Sequence, residues 1–270
     1  MQAKLNHIAI ISENYAVSAR FYESMFGLRT AAQATPQRAI TVGDGYVGLN
    51  INPRKAGRPA RLDHFGIEVD DIETALQRIR AGFPEVEWLA RPPSRPFAST
   101  TTHDPAGNVF DLSQRQAGSQ KDLYAEDHPL TKRYISHFAL RTLNASATAT
   151  FYAETFDFSL ERRPSDPNFY LSDGHVTVVI MPWHIGDYDG TGIVSPAPDH
   201  IGFTVENMDA FRADLATVVG DNPRLAPFPI GQGPEGRARL DLARRSCPLC
   251  DEHLTDVDGI LLSATAAGAR

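Results

Sequence analysis

Four times along the chain a short, alternating apolar run is built around a histidine: Leu5-Asn6-His7-Ile8-Ala9-Ile10, Leu62-Asp63-His64-Phe65-Gly66-Ile67, Ile135-Ser136-His137-Phe138-Ala139-Leu140 and Pro198-Asp199-His200-Ile201-Gly202-Phe203. An internal repeat constrains a fold more than any other sequence feature, because every copy must adopt the same local structure and bury its apolar face against its neighbours. With only 9 histidines among 270 residues, composition does not account for a match at all four places. The period of two makes each run a strand. The halves repeat as well: His7, Phe21 and Tyr22 recur as His137, Phe151 and Tyr152, each displaced by 130 residues.

Between these markers the spacing is helical, over Ser18 to Phe26, closed by Gly27, and over Ala147 to Phe156. Short β-rich runs separated by turn signals follow. Thr41-Val42, Gly43-Asp44-Gly45 and Tyr46 to Ile51 predict one hairpin; Tyr170-Leu171, Ser172-Asp173-Gly174 and Val176 to Ile180 predict its counterpart. The second and fourth units carry helical spacing over Ile72 to Arg80 and Met208 to Val218, and finish with a turn and a strand, Asp104 to Leu112 and Asp256 to Ser263. Asp104 and Asp256 have a turn-forming role. Each unit is thus strand, helix and several antiparallel strands, an α+β chain of four β-α-β-β-β modules. The polar stretch from Ala117 to Arg133 shows neither period. It divides the chain into an N-terminal domain, 1–118, a linker, 119–133, and a C-terminal domain, 134–270.

Charge narrows the partners. The net charge is −7, and no basic run exceeds the pairs Arg162-Arg163 and Arg244-Arg245. This argues against a nucleic-acid partner, which needs a phosphate-binding basic face. The early apolar run Ile8 to Ile11 falls short of a signal-peptide core or a membrane span, so no membrane partner and a cytoplasmic location are expected. Cys247 and Cys250 are the only cysteines, which fits a reducing compartment.

The fourfold array, its strand-opening histidines and the Asp104-Pro105-Ala106-Gly107-Asn108 turn resemble the vicinal oxygen chelate superfamily, which includes glyoxalases, bleomycin and fosfomycin resistance proteins and type I extradiol ring-cleaving dioxygenases. The resemblance covers nearly the whole chain, and four modules resemble the extradiol type. It implies that modules pair into two open-barrel, cup-shaped domains, and that a metal is held by the histidine opening each module of a pair and by a carboxylate seven residues after the Asp of the last turn. Carried over, this gives His7, His64 and Asp111, with Asp where the family usually has Glu. In the second pair it gives His137, His200 and Ser263, and serine does not replace a carboxylate toward a divalent cation. The family's ring-cleaving members normally use the C-terminal cup. Three outcomes stay open: the working site lies in the N-terminal cup, the C-terminal cup has an unorthodox third ligand, or neither is catalytic. A tyrosine expected ten residues before the last ligand is replaced by Thr101 and His253.

Two imidazoles and one carboxylate leave neighbouring positions for a substrate and dioxygen, the pattern of non-haem Fe(II) enzymes. The leading expectation is therefore an Fe(II)-dependent ring-cleaving dioxygenase, an oxidoreductase acting on a catechol-like aromatic diol, in a homo-oligomer. The alternatives are a lyase or isomerase of glyoxalase type using Mn, Zn, Ni or Co, and a non-catalytic, drug-sequestering binding protein. A glyoxalase-type site usually draws a fourth ligand from the last strand of the first module, where this chain offers only Gly48, Asn50 and Asn52. No residue is assigned as general acid or base; His103 lies at the turn, too far along the hairpin from Asp111. Cys247, Cys250 and His253 are read as reduced surface thiols beside a histidine, with a zinc knuckle or a lining of the C-terminal cup as alternatives. Trp183, His184 and Tyr188 are expected in an exposed connection.

Overall fold

The structure is a computed structural model and describes residues 1–30, 39–92, 98–115, 124–247 and 249–268. The first unit is β1 (Ala3–Ser12), α1 (Tyr15–Phe26), β2 (Arg29–Thr30), β3 (Ile40–Gly43) and β4 (Gly48–Pro53). The second is β5 (Arg61–Val69), α2 (Ile72–Gly82), β6 (Trp88–Ala90), β7 (Thr100–His103) and β8 (Val109–Gln114). The third is β9 (Tyr134–Thr142), α3 (Ala145–Phe156), β10 (Ser159–Glu161), β11 (Phe169–Ser172) and β12 (Thr177–Pro182). The fourth is β13 (Ala197–Val205), α4 (Met208–Asp221), α5 (Gly233–Ser246), β14 (Glu252–Thr255) and β15 (Leu261–Ala266). Helix α5 has no counterpart in the second unit among the described residues. None of these helices is long and apolar enough to cross a membrane.

The helix ends follow from local chemistry. Asn14 and Asn144 accept from Val17 N and Ala147 N at the starts of α1 and α3, and Asp71 accepts from Glu73 N and Thr74 N at the start of α2. Gly27 ends α1 in the left-handed conformation, φ 66°. Units one and two form one open sheet, in the order β2-β3-β4-β1-β5-β8-β7-β6, and units three and four form another, β10-β11-β12-β9-β13-β15-β14. The histidine strands are the antiparallel centre of each: β1 pairs with β5, and β9 with β13. Two units thus share each open, cup-shaped sheet, and the fold is α+β as expected.

The halves interlock through exchanged helices. Phe26 of α1 stacks on Phe203 of β13 with ring centroids 3.7 Å apart, while Phe151 of α3 packs on Phe83 at 4.9 Å and on Phe110 of β8 at 6.0 Å. Two pairs of polar contacts repeat the exchange. Tyr22 Oη donates to Asp256 Oδ2 at 2.9 Å and Tyr152 Oη to Asp104 Oδ2 at 3.0 Å; Leu5 N donates to Asp173 Oδ2 and Ile135 N to Asp44 Oδ2. Asp104 and Asp256 therefore do more than shape turns: each also receives a buried tyrosine of the opposite half.

Of the segment expected as a linker, residues 119–123 and the boundary at 118 lie outside the described residues. The rest is tied down: Lys4 Nζ donates to Tyr124 O and Glu126 O, Leu130 N to Asp44 O, and Arg133 Nη1 to Met25 O.

Candidate metal centre

Strand register brings His7, His64 and Asp111 together. His7 pairs with Gly66 across β1 and β5, and Gly66 pairs with Asp111 across β5 and β8. A row therefore runs His7, Gly66, Asp111, with Thr101 next on β7. The middle position must be glycine, since a Cβ there would lie 2.0 Å from His7 Cε1. One donor atom from each of the three residues lies within 4.8 Å of the others. His64 Nε2 is 3.4 Å and His7 Nε2 3.8 Å from Asp111 Oδ2.

Each donor is oriented from behind. His7 Nδ1 donates to Asn6 Oδ1 at 2.8 Å, His64 Nδ1 to Asp63 Oδ2 at 3.0 Å, and Thr101 Oγ1 to Asp111 Oδ1 at 2.6 Å. These contacts turn both Nε2 atoms and one carboxylate oxygen inward, the arrangement in which partner groups fix a ligand's tautomer and angle. Burial, with help from the neighbouring His64, drives His7 down to about 3, so it is a neutral imidazole. At His64 burial also opposes charge, but the bonds to Asp111 and Asp63 outweigh it and lift the group to about 9. Burial opposes charge at Asp111 too, yet the His64 bond, the imidazole charges and Thr101 keep its carboxyl below the usual range. Two imidazoles and an ionised carboxylate fit a divalent cation, whose binding would require His64 to give up its proton. The site is open: the His64 and Asp111 side chains are 23% and 14% exposed.

His103 is structural, as its turn position implied: its ring accepts from Glu87 N and contacts Asp104 O. Asn50 accepts from Thr41 Oγ1.

The C-terminal cup repeats the row as His137, Gly202, Ser263 and His253, and a Cβ on Gly202 would lie 1.9 Å from His137 Cε1. His137 Nε2 is 3.2 Å from His200 Nε2 and 3.1 Å from Ser263 Oγ. The third donor is neither Ser263 nor His253 but Cys247, whose sulfur clusters with the two imidazoles within the same 4.8 Å limit. The expectation of two surface thiols is corrected here: both cysteines are free, but Cys247 is 1% exposed, while Cys250 is half-buried with its sulfur 3.3 Å from His253 Nε2. Its carrier, α5, starts with Pro at N1/N2 and Glu235 in the first turn and ends with Arg244 and Arg245, a charge order that suits the helix dipole. Cys247 and Leu249 pack against Ala139, Tyr170, Val179 and Met181 of the sheet. Arg141 and Arg239 both donate to Asp199 Oδ1, at 2.7 and 2.8 Å. This polypeptide fills the cup, and His137 and His200 are 1% and 0% exposed. In the connection after β12, His184 and Tyr188 are exposed as expected, whereas Trp183 is half-buried with its Nε1 donating to Ile193 O, and Asp187 lies 3.6 Å from Arg141.

Two paired-module, cup-shaped sheets, each with two convergent histidines and a third donor that could hold a metal, define the architecture. Residues 4–112 match the family model of the Glyoxalase/Bleomycin resistance protein/Dioxygenase superfamily, so the chain carries a domain of that superfamily, as the resemblance implied. A manganese-dependent 2,3-dihydroxybiphenyl 1,2-dioxygenase of Geobacillus genomosp. 3 is 22% identical over 200 residues, covering 68% of this chain and 62% of that enzyme. The chain thus spans under two thirds of that relative. The Mn(II)-bound glyoxalase from Novosphingobium aromaticivorans superposes over 97% of this chain and 81% of its own, with TM-score 0.63 and 14% identity. The 2,3-dioxygenase LapB from Pseudomonas sp. KL28 covers 98% of this chain and 92% of its own, with TM-score 0.63 and 13% identity. At such identities the likeness is one of fold.

Proposed function

We propose that the chain is a metal-dependent dioxygenase that opens a catechol-like aromatic diol with dioxygen, working in the N-terminal cup on Fe(II) or Mn(II) held by His7, His64 and Asp111. The observation that carries this reading is the contrast between the cups: in one His64 and Asp111 are partly open to solvent beside the buried His7, while in the other all three donors are buried under the chain's own α5 segment. The manganese-dependent relative supports the reaction class and adds Mn to the candidate metals. A cation held by these three residues would supply Lewis-acid and redox chemistry for a chelating diol and dioxygen. The protein's part is orientation. Asn6 and Asp63 fix the imidazoles, Thr101 fixes the carboxylate, and the neutral His7 needs no deprotonation before it binds.

The test combines metal analysis with an oxygen electrode. Protein loaded with Fe(II) or Mn(II) consumes oxygen with a panel of catechols, and His64→Ala abolishes both uptake and one equivalent of bound metal. Turnover of a substrate without oxygen, by a Ni- or Zn-loaded protein, would replace this reading with the lyase alternative. Ligand binding untouched by chelators would replace it with the sequestering one.

A further inference from the structure

We propose that the C-terminal cup is a zinc site of a second kind, in which His137, His200 and Cys247 supply three of the ion's four ligands and so fasten α5 into the sheet. Three independent elements, β9, β13 and the end of α5, deliver one donor each to a single point. The donors are sealed from water, the condition in which polar groups need partners most. The surrounding contacts are those of a ligand set. His200 Nδ1 donates to Asp199 Oδ2 at 2.7 Å, so its Nε2 faces inward, and Asp199 is itself held by Arg141 and Arg239.

The donor set differs from that of the N-terminal cup in kind. A thiolate replaces the carboxylate, and two imidazoles with a thiolate suit zinc, whereas a harder oxygen-bearing site suits manganese. On binding, the Cys247 thiol gives its proton to solvent. A cavity of about 580 Å³ lined by Arg212, Arg244, Cys250, Glu252 and His253 borders Cys247. Helix α5 is held to the sheet mainly by polar contacts, Arg239 to Asp199 and Ser246 to Arg141 and Asn168, and a metal would add to them. Of its 14 residues only Leu242 and Ala243 are buried, too small an apolar face to hold a helix by packing alone.

The test uses the full chain. In zinc-loaded His64→Ala protein, where the N-terminal donors are broken, X-ray absorption at the zinc edge is expected to show one sulfur at about 2.3 Å with nitrogen at about 2.0–2.1 Å. Cys247→Ala should lose that sulfur and one zinc equivalent. Should that variant not fold, chelation of the His64→Ala protein gives the same answer: amide exchange in residues 233–246 should speed up at least tenfold when zinc is removed. A zinc shell of nitrogen and oxygen only, a Cys247→Ala protein that keeps its sulfur signal, or unchanged exchange in α5 after chelation would each overturn the proposal. Failure of the oxygen assay leaves all three readouts intact, so the two sites are judged separately.

Discussion

Replacing Gly66 by alanine should disable the N-terminal site without touching a ligand. A Cβ at this position meets His7 Cε1 at 2.0 Å, Nδ1 at 2.3 Å and Nε2 at 2.8 Å, whereas carbon contacts are comfortable at about 3.5–4.0 Å. Gly66 lies in a central strand bonded on both sides, to β1 and β8, so the backbone resists and the ring must give way. Overpacking of this kind costs about 1–3 kcal/mol. Moving the ring also breaks the Nδ1 bond to Asn6, worth about 1 kcal/mol. The total, about 2–4 kcal/mol, lowers the melting temperature by roughly 5–15 °C for a chain of this size. Displacement of Nε2 removes one of three donors, and Mn(II) affinity should drop by at least about 100-fold, the upper end of the losses seen when a ligand's support is disturbed. Calorimetric titration with Mn(II) and a thermal melt measure both. Gly82→Ala is the control: Gly82 ends α2 with nothing within 4 Å of its added Cβ, and the change should be neutral or stabilising by up to about 1 kcal/mol. Wild-type metal affinity in Gly66→Ala, or a melt matching that of Gly82→Ala, would refute the argument that this glycine exists to seat the imidazole.

Three further outcomes are expected. Thr101→Val removes the 2.6 Å hydroxyl bond to Asp111 and should weaken metal binding by about 10–100-fold at nearly unchanged melting temperature; equal affinity in a titration would show that the threonine does not orient the carboxylate. Tyr152→Phe deprives the buried Asp104 of a donor and should cost about 1–3 kcal/mol in denaturant unfolding at neutral pH, with Tyr22→Phe behaving alike at Asp256; no loss in either would argue that these bonds do not join the halves. Burial pushes the Asp256 carboxyl up to about 6, so between about pH 4 and 6 the folded chain keeps a proton that the unfolded chain has released, and stability falls as pH rises by roughly 3 kcal/mol. Asp256→Asn lacks that slope, and parallel melting-temperature profiles of the two proteins from pH 4 to 7 would contradict it.

Much of the N-terminal site was legible because it is local arithmetic. Strand alternation and a fixed spacing after the Asp104 turn place His64 and Asp111 on adjacent strands, and the repeat supplies His7. The residue before three of the four histidines, Asn6, Asp63 and Asp199, carried a further signal, since a polar neighbour that close can hold Nδ1. Other features depend on distances along the chain that no local period encodes. Tyr22 and Asp256 were both conspicuous, yet they meet across 234 positions through an exchange of helices. Cys247 was harder still. Its place is decided by how α5 docks, and a helix with so little buried surface gives no apolar stripe from which that face could be read. The remaining clue was the gap itself: Ser263 leaves a ligand position unfilled, and a soft donor pair lies just upstream of the same hairpin.

The filled cup serves the open one. Residues that shape the N-terminal site sit on β1, β5, β7 and β8, and the surface behind β5 and β8 is covered by α3, a helix of the C-terminal half. Phe65 and Phe110 flank His64 and Asp111 in sequence, and both pack on Tyr152 of α3, with ring centroids 6.0 and 5.8 Å apart. The hydroxyl of that tyrosine fastens Asp104, which sets the turn feeding Asp111 into register. The N-terminal cup therefore depends on the C-terminal half whether or not that half takes a ligand of its own, provided its sheet stays rigid enough to hold α3 in place. A cup sealed by α5, with Arg141 and Arg239 converging on Asp199, meets that condition. An open second cup would leave the same sheet supported from one side only.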